Sequence, residues 1–269
     1  MMKEFGLQLW SIRDEFTTPE RTRAAFKKMQ EYGYTLAQTA GTYDYISPED
    51  FRKYADEAGI RLVSTHYNFD RICNDVEGTA RYHRILGADE IGIGGYPTSD
   101  FESLKTFIKK FNEMARIYHD NYGYKLAYHN HSVEFSNQYV EIEGKRKYDY
   151  LMEEFDPETT NFTLDTYWAQ VAGIDVRFLI ERLKGRINCL HLKDCEANHI
   201  FQLADGKSMH APERIEIGRG TMNFPEIIKT AEQNGVKYFI VEDEIYSTNN
   251  PLESVKMSAD YIKAHLLEK

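Results

Sequence analysis

Cysteine is scarce in this chain. Of 269 residues only Cys73, Cys189 and Cys195 are cysteine, an odd number without a CxxC pair, which argues against a disulfide framework and fits a reducing compartment. A zinc reading of Cys189, His191 and Cys195 is weaker than the plain one, buried or incidental thiols. No uninterrupted apolar stretch approaches the ~18 residues of a membrane span, and "MMKEFGLQLW" lacks the cationic start and long apolar region of a secretory leader. The expected location is therefore cytoplasmic, with no membrane partner. Positive charge is in deficit: 33 Lys and Arg face 43 Asp and Glu, a net charge of -10. No basic block offsets that field, which repels nucleic acid. No GxGxxG follows the first apolar run, and no low-complexity linker divides the chain, so residues 1–269 are expected to form one domain.

What the chain does have is alternation. Short apolar runs begin at Phe5, Thr35, Arg61, Glu90, Lys125, Asn161, Ile187 and Tyr238, and amphipathic segments lie between them. In "TPERTRAAFKKMQEYG", Thr18 can cap, Pro19 can occupy the first turn and Gly33 can end the helix. Similar helices are expected after Ser47, Ser99 and Asn223, each closing at a glycine before the next apolar run. Eight such units imply an α/β fold, a (β/α)8 TIM barrel; an open doubly wound sheet is the runner-up. The longest apparently irregular segment, Cys195 to Met222, interrupts the seventh connection, where long loops belong to the catalytic face.

In such a barrel the reacting groups come from the carboxyl ends of the strands. Here those ends carry Gln8, Gln38, His66, the "HNHSVE" cluster, Asp165, His191 with Lys193 and Asp194, and Glu242 with Asp243 and Glu244. Asp165, His191 and Glu242 end three successive strands, and anionic and imidazole groups converging in this way call for a cation among them. Oxygen donors with imidazole suit one divalent metal ion, manganese first, with magnesium, cobalt or zinc as alternatives. The fourth ligand comes from the "HNHSVE" cluster, as Glu134 or His129. Glu134 is preferred for its charge, although strict strand alternation puts His129 and His131 on one face and Glu134 on the other. Plainer readings stand beside these: Asp165 as a helix N-cap, His66 as a hydrogen-bonded wall residue, Trp10, Tyr167, Trp168 and Phe69 as core or rim rather than sugar-stacking surfaces, and "GRGTMNF" as a tight turn rather than an anion cradle.

With "YHNHSVEF", "LDTYW", "LHLKD", "GRGTMNF" and "IVEDE" in view, the chain resembles the sugar phosphate isomerase/epimerase family of xylose isomerase-like TIM barrels, over nearly its whole length. The resemblance implies that Asp165, His191 and Glu242 bind a divalent metal together with an acidic residue of the fifth strand. Many relatives have glutamate where His129 stands, whereas a subgroup has HNH followed by a glutamate at the place of Glu134. A second-strand glutamate common in relatives appears as Gln38, and the subgroup's "VEQD" is "VEDE" here. The expected activity is proton abstraction next to a carbonyl of a sugar, sugar phosphate or keto-glycoside, giving isomerisation or epimerisation. Glu242 with Glu134 or His131 would move the proton, His66, Trp168 and Lys193 would orient hydroxyls, and Arg219 would contact an anionic group. Dehydration of a keto-sugar is the alternative within the same family. A phosphodiesterase of endonuclease type would need a basic rim that is missing, and a non-catalytic sugar-binding barrel is the reading suggested by Gln38. The expected partner is a small carbohydrate, with no nucleic acid; an acidic, aromatic-rich barrel is also compatible with a homodimer.

Overall fold

The computed structural model describes residues 2–136, 144–203, 206–244 and 247–268. Eight parallel strands form one sheet: β1 (Gly6–Gln8), β2 (Leu36–Ala40), β3 (Arg61–His66), β4 (Glu90–Ile93), β5 (Lys125–His129), β6 (Thr160–Asp165), β7 (Ile187–Leu192) and β10 (Tyr238–Val241). Their order is β3-β2-β1-β10-β7-β6-β5-β4, and every expected apolar run is one of them. The two ends meet, because Asp89 N–H donates to Val63 O at 3.0 Å and Tyr67 N–H to Gly92 O at 2.7 Å. The result is a nearly closed TIM barrel. Gly92 lies at this seam, where a Cβ would stand 2.2 Å from the Thr65 carbonyl oxygen, so the close approach of β3 and β4 requires the missing side chain.

The helices start and stop where local chemistry directs. Thr18, Ser47 and Asn223 accept the backbone N–H of Arg21, Asp50 and Glu226 at the heads of their helices, and Gly33 ends the first in the left-handed region at φ 98°. The helix expected after Ser99 is capped one residue later, by Asp100, whose carboxylate accepts Ser103 N–H at 2.7 Å. No helix among the described residues is long and apolar enough to cross a membrane.

The segment expected to be irregular is not. β8 (Asp194–Gln202) and β9 (Ser208–Ile215) pair antiparallel as a separate two-stranded ribbon. Beyond its root the ribbon is largely solvated on both faces, so it lacks the alternation by which a half-buried strand is recognised.

Side-chain alternation explains the site's position. Leu36, Cys189 and Ile240 belong to a small apolar cluster separate from the main core. Two residues further along the same strands, and so on the same face, stand Gln38, His191 and Glu242. An apolar floor thus lies beneath a polar layer near the carboxyl ends. Register shifts fall at Ala37/Gln38 and at Phe162/Thr163, irregularities of the kind that re-aim side chains beside active sites.

Candidate active site

Asp165, His191 and Glu242 converge, and the fourth member of the group is His129. One ligand-competent atom from each lies within 4.8 Å of every other, and all four residues are buried. His191 Nδ1 is 3.1 Å from Glu242 Oε2 and 3.7 Å from Asp165 Oδ2; His129 Nε2 is 3.5 Å from Asp165 Oδ2 and 3.9 Å from Glu242 Oε2. Asp165 also caps the helix Thr166–Val171, and the two roles divide its carboxylate. Oδ1 accepts Trp168 N–H at 2.9 Å, whereas Oδ2 is buried without a hydrogen-bond partner.

Glu134 is not part of this group. β5 ends at His129 and the chain enters a short 3-10 turn, Ser132–Phe135, which carries Glu134 to another wall. There its carboxylate accepts Tyr128 O–H at 2.8 Å and His131 N–H at 2.8 Å, and it lies 3.5 Å from Lys147 Nζ. The preference for its charge thus gives way to the strand's alternation, which aims His129 at the mouth. Asn130, between the two histidines, spans β5 and β6 by accepting Asp165 N–H at 2.9 Å.

The donor set fits a divalent cation. Both ring nitrogens of His129 and Oδ2 of Asp165 are buried without hydrogen bonds, an arrangement costly in itself and satisfied by a shared ion. Two imidazoles and two carboxylates suit manganese, zinc or cobalt, and the group contains no cysteine. With protons alone to balance the charge, burial disfavours an imidazolium at His191, but Glu242 and Asp165 outweigh it and raise that ring to about 9. Burial would raise the Glu242 carboxyl, yet Lys193 and His191 hold it well below the usual carboxylate range.

Lys193 is fully buried and anchors the anionic side. Its Nζ lies 3.2 Å from Glu242 Oε2 and 3.8 Å from Asp165 Oδ2, and it bonds Glu244. Burial opposes that ammonium, but Glu242 and Asp165 reverse the balance and raise it above the ordinary lysine value. Trp168 forms the rim, with Lys193 Nζ 5.2 Å from its ring centroid, the Arg214 guanidinium carbon 5.7 Å, and the His131 ring 5.4 Å. His131 lies edge-on to His129 at 4.9 Å. With Gly95, Tyr96, Thr98, Glu134 and Lys147 it bounds a cavity of about 350 Å³. Burial, then His129, keeps His131 below the ordinary histidine value, and burial with His129 and His191 does the same for His66.

Arg219 is engaged elsewhere: Nη1 donates to Glu216 Oε2 at 3.2 Å and Ser247 Oγ at 2.7 Å. The surrounding "GRGTMNF" does cradle an anion, but an internal one. Asp194 accepts the backbone N–H of Cys195, Gly218, Gly220 and Met222 at 2.8 to 3.3 Å, which ties the segment after β9 to the ribbon root. The arginine that meets the mouth is Arg214, 2.9 Å from Glu244. Sequence reasoning missed it because it rides on the unrecognised ribbon. Lys147 was missed too, and no local pattern marks it.

A family model for xylose isomerase-like TIM barrels matches residues 26–265. An inosose dehydratase of Mesomycoplasma hyopneumoniae strain J is 28% identical over 272 residues, covering 89% of this chain and 87% of that protein. An inosose dehydratase of Bacillus licheniformis is 27% identical over 196 residues, covering 69% of this chain and 62% of that one. Among solved structures, a sugar phosphate isomerase/epimerase from Parabacteroides distasonis superposes with a TM-score of 0.82 at 25% identity, covering 99% of this chain and 96% of that chain.

Proposed function

The chain belongs to the xylose isomerase-like TIM barrel family, and from that premise and the geometry of its mouth we propose that it removes water from a polyhydroxylated ketone of the inosose type. A divalent cation, manganese first, would be held by His129, Asp165, His191 and Glu242. The observation that carries the reading is this buried quartet with unpaired donors, in a chain similar to proteins named for dehydrating a cyclic keto-polyol. Isomerisation or epimerisation, the first expectation from sequence, becomes the second reading, favoured by the likeness to the Parabacteroides structure. Both reactions begin with loss of the proton next to the ketone.

When bound, the cation supplies Lewis-acid stabilisation of the negative charge that develops on the ketone oxygen, commonly worth several kcal/mol. The protein supplies the rest. His131, on the cavity wall beside the quartet, is the proposed base. It takes the α-proton; the C–H electron pair becomes the new carbon–carbon double bond, and the β-hydroxyl leaves with its own C–O pair. The imidazolium then returns the proton to that oxygen, so water departs and His131 is neutral again. Glu134 holds the His131 backbone. Lys193, saturated by carboxylates, is a fixed positive charge rather than an acid. Trp168 offers an apolar face to ring C–H groups, and His66 meets substrate hydroxyls.

The test is incubation of the purified protein with an inosose and Mn²⁺ in deuterated water, followed by mass spectrometry. Loss of water that stops on chelation supports dehydration; deuterium uptake without loss of water supports epimerisation. Neither change, across inososes and open-chain keto-sugars, would sink both readings.

A further inference from the structure

We propose that Gln8 and Gln38 are positioning residues, a directed pair of amides that fixes which ring nitrogen carries the proton in His191 and in His66. For His191 the inference rests on the proposed cation site; for His66 it does not.

The direction of the chain is set by a group that can only donate. Trp10 N–H donates to Gln8 Oε1 at 3.2 Å, so the other arm of that amide is the NH₂ group. Its two hydrogens go to Gln38 Oε1 at 2.7 Å and to His66 Nδ1 at 3.3 Å. Gln38 is thereby oriented as well: its Nε2 donates to Ser64 Oγ at 3.1 Å, and Ser64 O–H continues to Glu90 Oε1 at 3.0 Å. Reversing either amide would set oxygen against oxygen or N–H against N–H in a fully buried layer, where an unmade hydrogen bond is costly.

Both histidines inherit this polarity in opposite senses. Gln38 Oε1, an acceptor, lies 2.6 Å from His191 Nε2, so that nitrogen carries the hydrogen. His191 Nδ1 is then the lone-pair nitrogen of the neutral ring, facing Glu242 and Asp165 where a cation is wanted. His66 is the reverse. Its Nδ1 accepts from Gln8, so the hydrogen sits on Nε2, which is buried without a protein partner and offers a donor to a substrate oxygen. This also decides between the two groups able to hold a metal, His66 with His129 and His191, or the quartet. His66 has no lone pair to give, since one nitrogen accepts from Gln8 and the other bears hydrogen. Gln38 therefore does its work as an oriented amide on β2, through His191.

Two measurements test this. Ring ¹⁵N spectra of the metal-free protein should show His66 protonated on Nε2, and Gln8→Met should erase that preference. With Zn²⁺ as a diamagnetic probe, His191 should keep its Nε2 proton on binding. By calorimetry, Gln38→Met should weaken Mn²⁺ binding 10- to 100-fold, as loss of a group that orients a ligand does. Gln38→Glu, which keeps an oxygen facing His191, should restore it to within a few-fold. Proton on Nδ1 of His66, loss of the His191 Nε2 proton, or Mn²⁺ binding by Gln38→Met equal to wild type would overturn the proposal. If Gln38→Met fails to fold, the wild-type spectra decide. Wild-type protein that takes up neither ion overturns the cation site and the His191 half together, while the His66 ring still upholds or refutes the amide chain.

Discussion

Lys193→Met should lower stability and raise cation affinity at once. The ammonium is within 4 Å of the Asp165 and Glu242 carboxylates and bonds Glu244, and its side chain is 1% exposed. Removing one partner from a buried ionic group leaves the others uncompensated, at a cost of about 3–5 kcal/mol. For a chain of this size that lowers the melting temperature by on the order of 10 °C. A divalent cation in the quartet replaces the lost charge, and at 100 times its dissociation constant binding returns about 2.7 kcal/mol. The ammonium also repels such a cation, so the variant should bind Mn²⁺ more tightly than wild type. Thermal melts in chelator and in saturating Mn²⁺, with calorimetric titration, measure both effects. Equal destabilisation with and without Mn²⁺, together with unchanged or weaker binding, would refute the view that lysine and cation share one field.

Asp165→Asn keeps an oxygen for Trp168 N–H but removes the charge facing the quartet, so Mn²⁺ affinity should fall at least 100-fold with the melting temperature held within a few degrees. Gly92→Ala places a Cβ 2.2 Å from the Thr65 carbonyl oxygen; it should cost about 1–3 kcal/mol or more, read as a lower urea midpoint. His83 is buried and neutral: burial lowers it to about 4, against a weaker opposing bond to Thr79 O. The unfolded chain binds that proton first, so stability is lost as pH falls from about 6.5 toward 4, by about 1.4 kcal/mol per unit and roughly 3 kcal/mol in all. Urea titrations at stepped pH should show that slope diminished in His83→Gln; identical slopes would contradict it.

The barrel was legible because its strands are buried and bounded: each apolar run is too short for a helix, and the helices between them begin at caps such as Thr18, Ser47 and Asn223. The ribbon from Asp194 to Ile215 was illegible for the complementary reason, as solvent on both faces leaves no period to read. In the site, Asp165, His191 and Glu242 could be found because position at a strand end decides their direction. His129 and Glu134 were separated by the same rule, and the rule was outweighed by a preference for charge. The 3-10 turn after His129 turns Glu134 to Tyr128 and Lys147 instead. Arg214 and Lys147 reach the site through tertiary contacts that nothing in their neighbours records.

The sign of the mouth links these features to chemistry. Asp165, Glu242 and Glu244 face Lys193 and Arg214, so these side chains leave one negative charge in excess, which without an ion the raised His191 imidazolium balances, in a layer where the imidazoles His66 and His131 are held below the ordinary histidine value. A balanced mouth leaves no net positive charge for an enolate. A divalent cation taking the place of the His191 proton would bring the mouth to one positive charge, the sign an enolate requires, and the effect is large where water is excluded. A wholly cationic mouth would instead hold any anion, phosphate included, whether or not a ketone is present. Retaining carboxylates in a buried layer therefore makes stabilisation contingent on the ion. Chelation should abolish proton abstraction outright rather than slow it in proportion to lost substrate binding, and deuterium exchange measured at saturating ketone distinguishes the two. Residual exchange in chelator at a tenth of the full rate or more would show that Lys193 and Arg214 suffice, and that the quartet serves the fold instead.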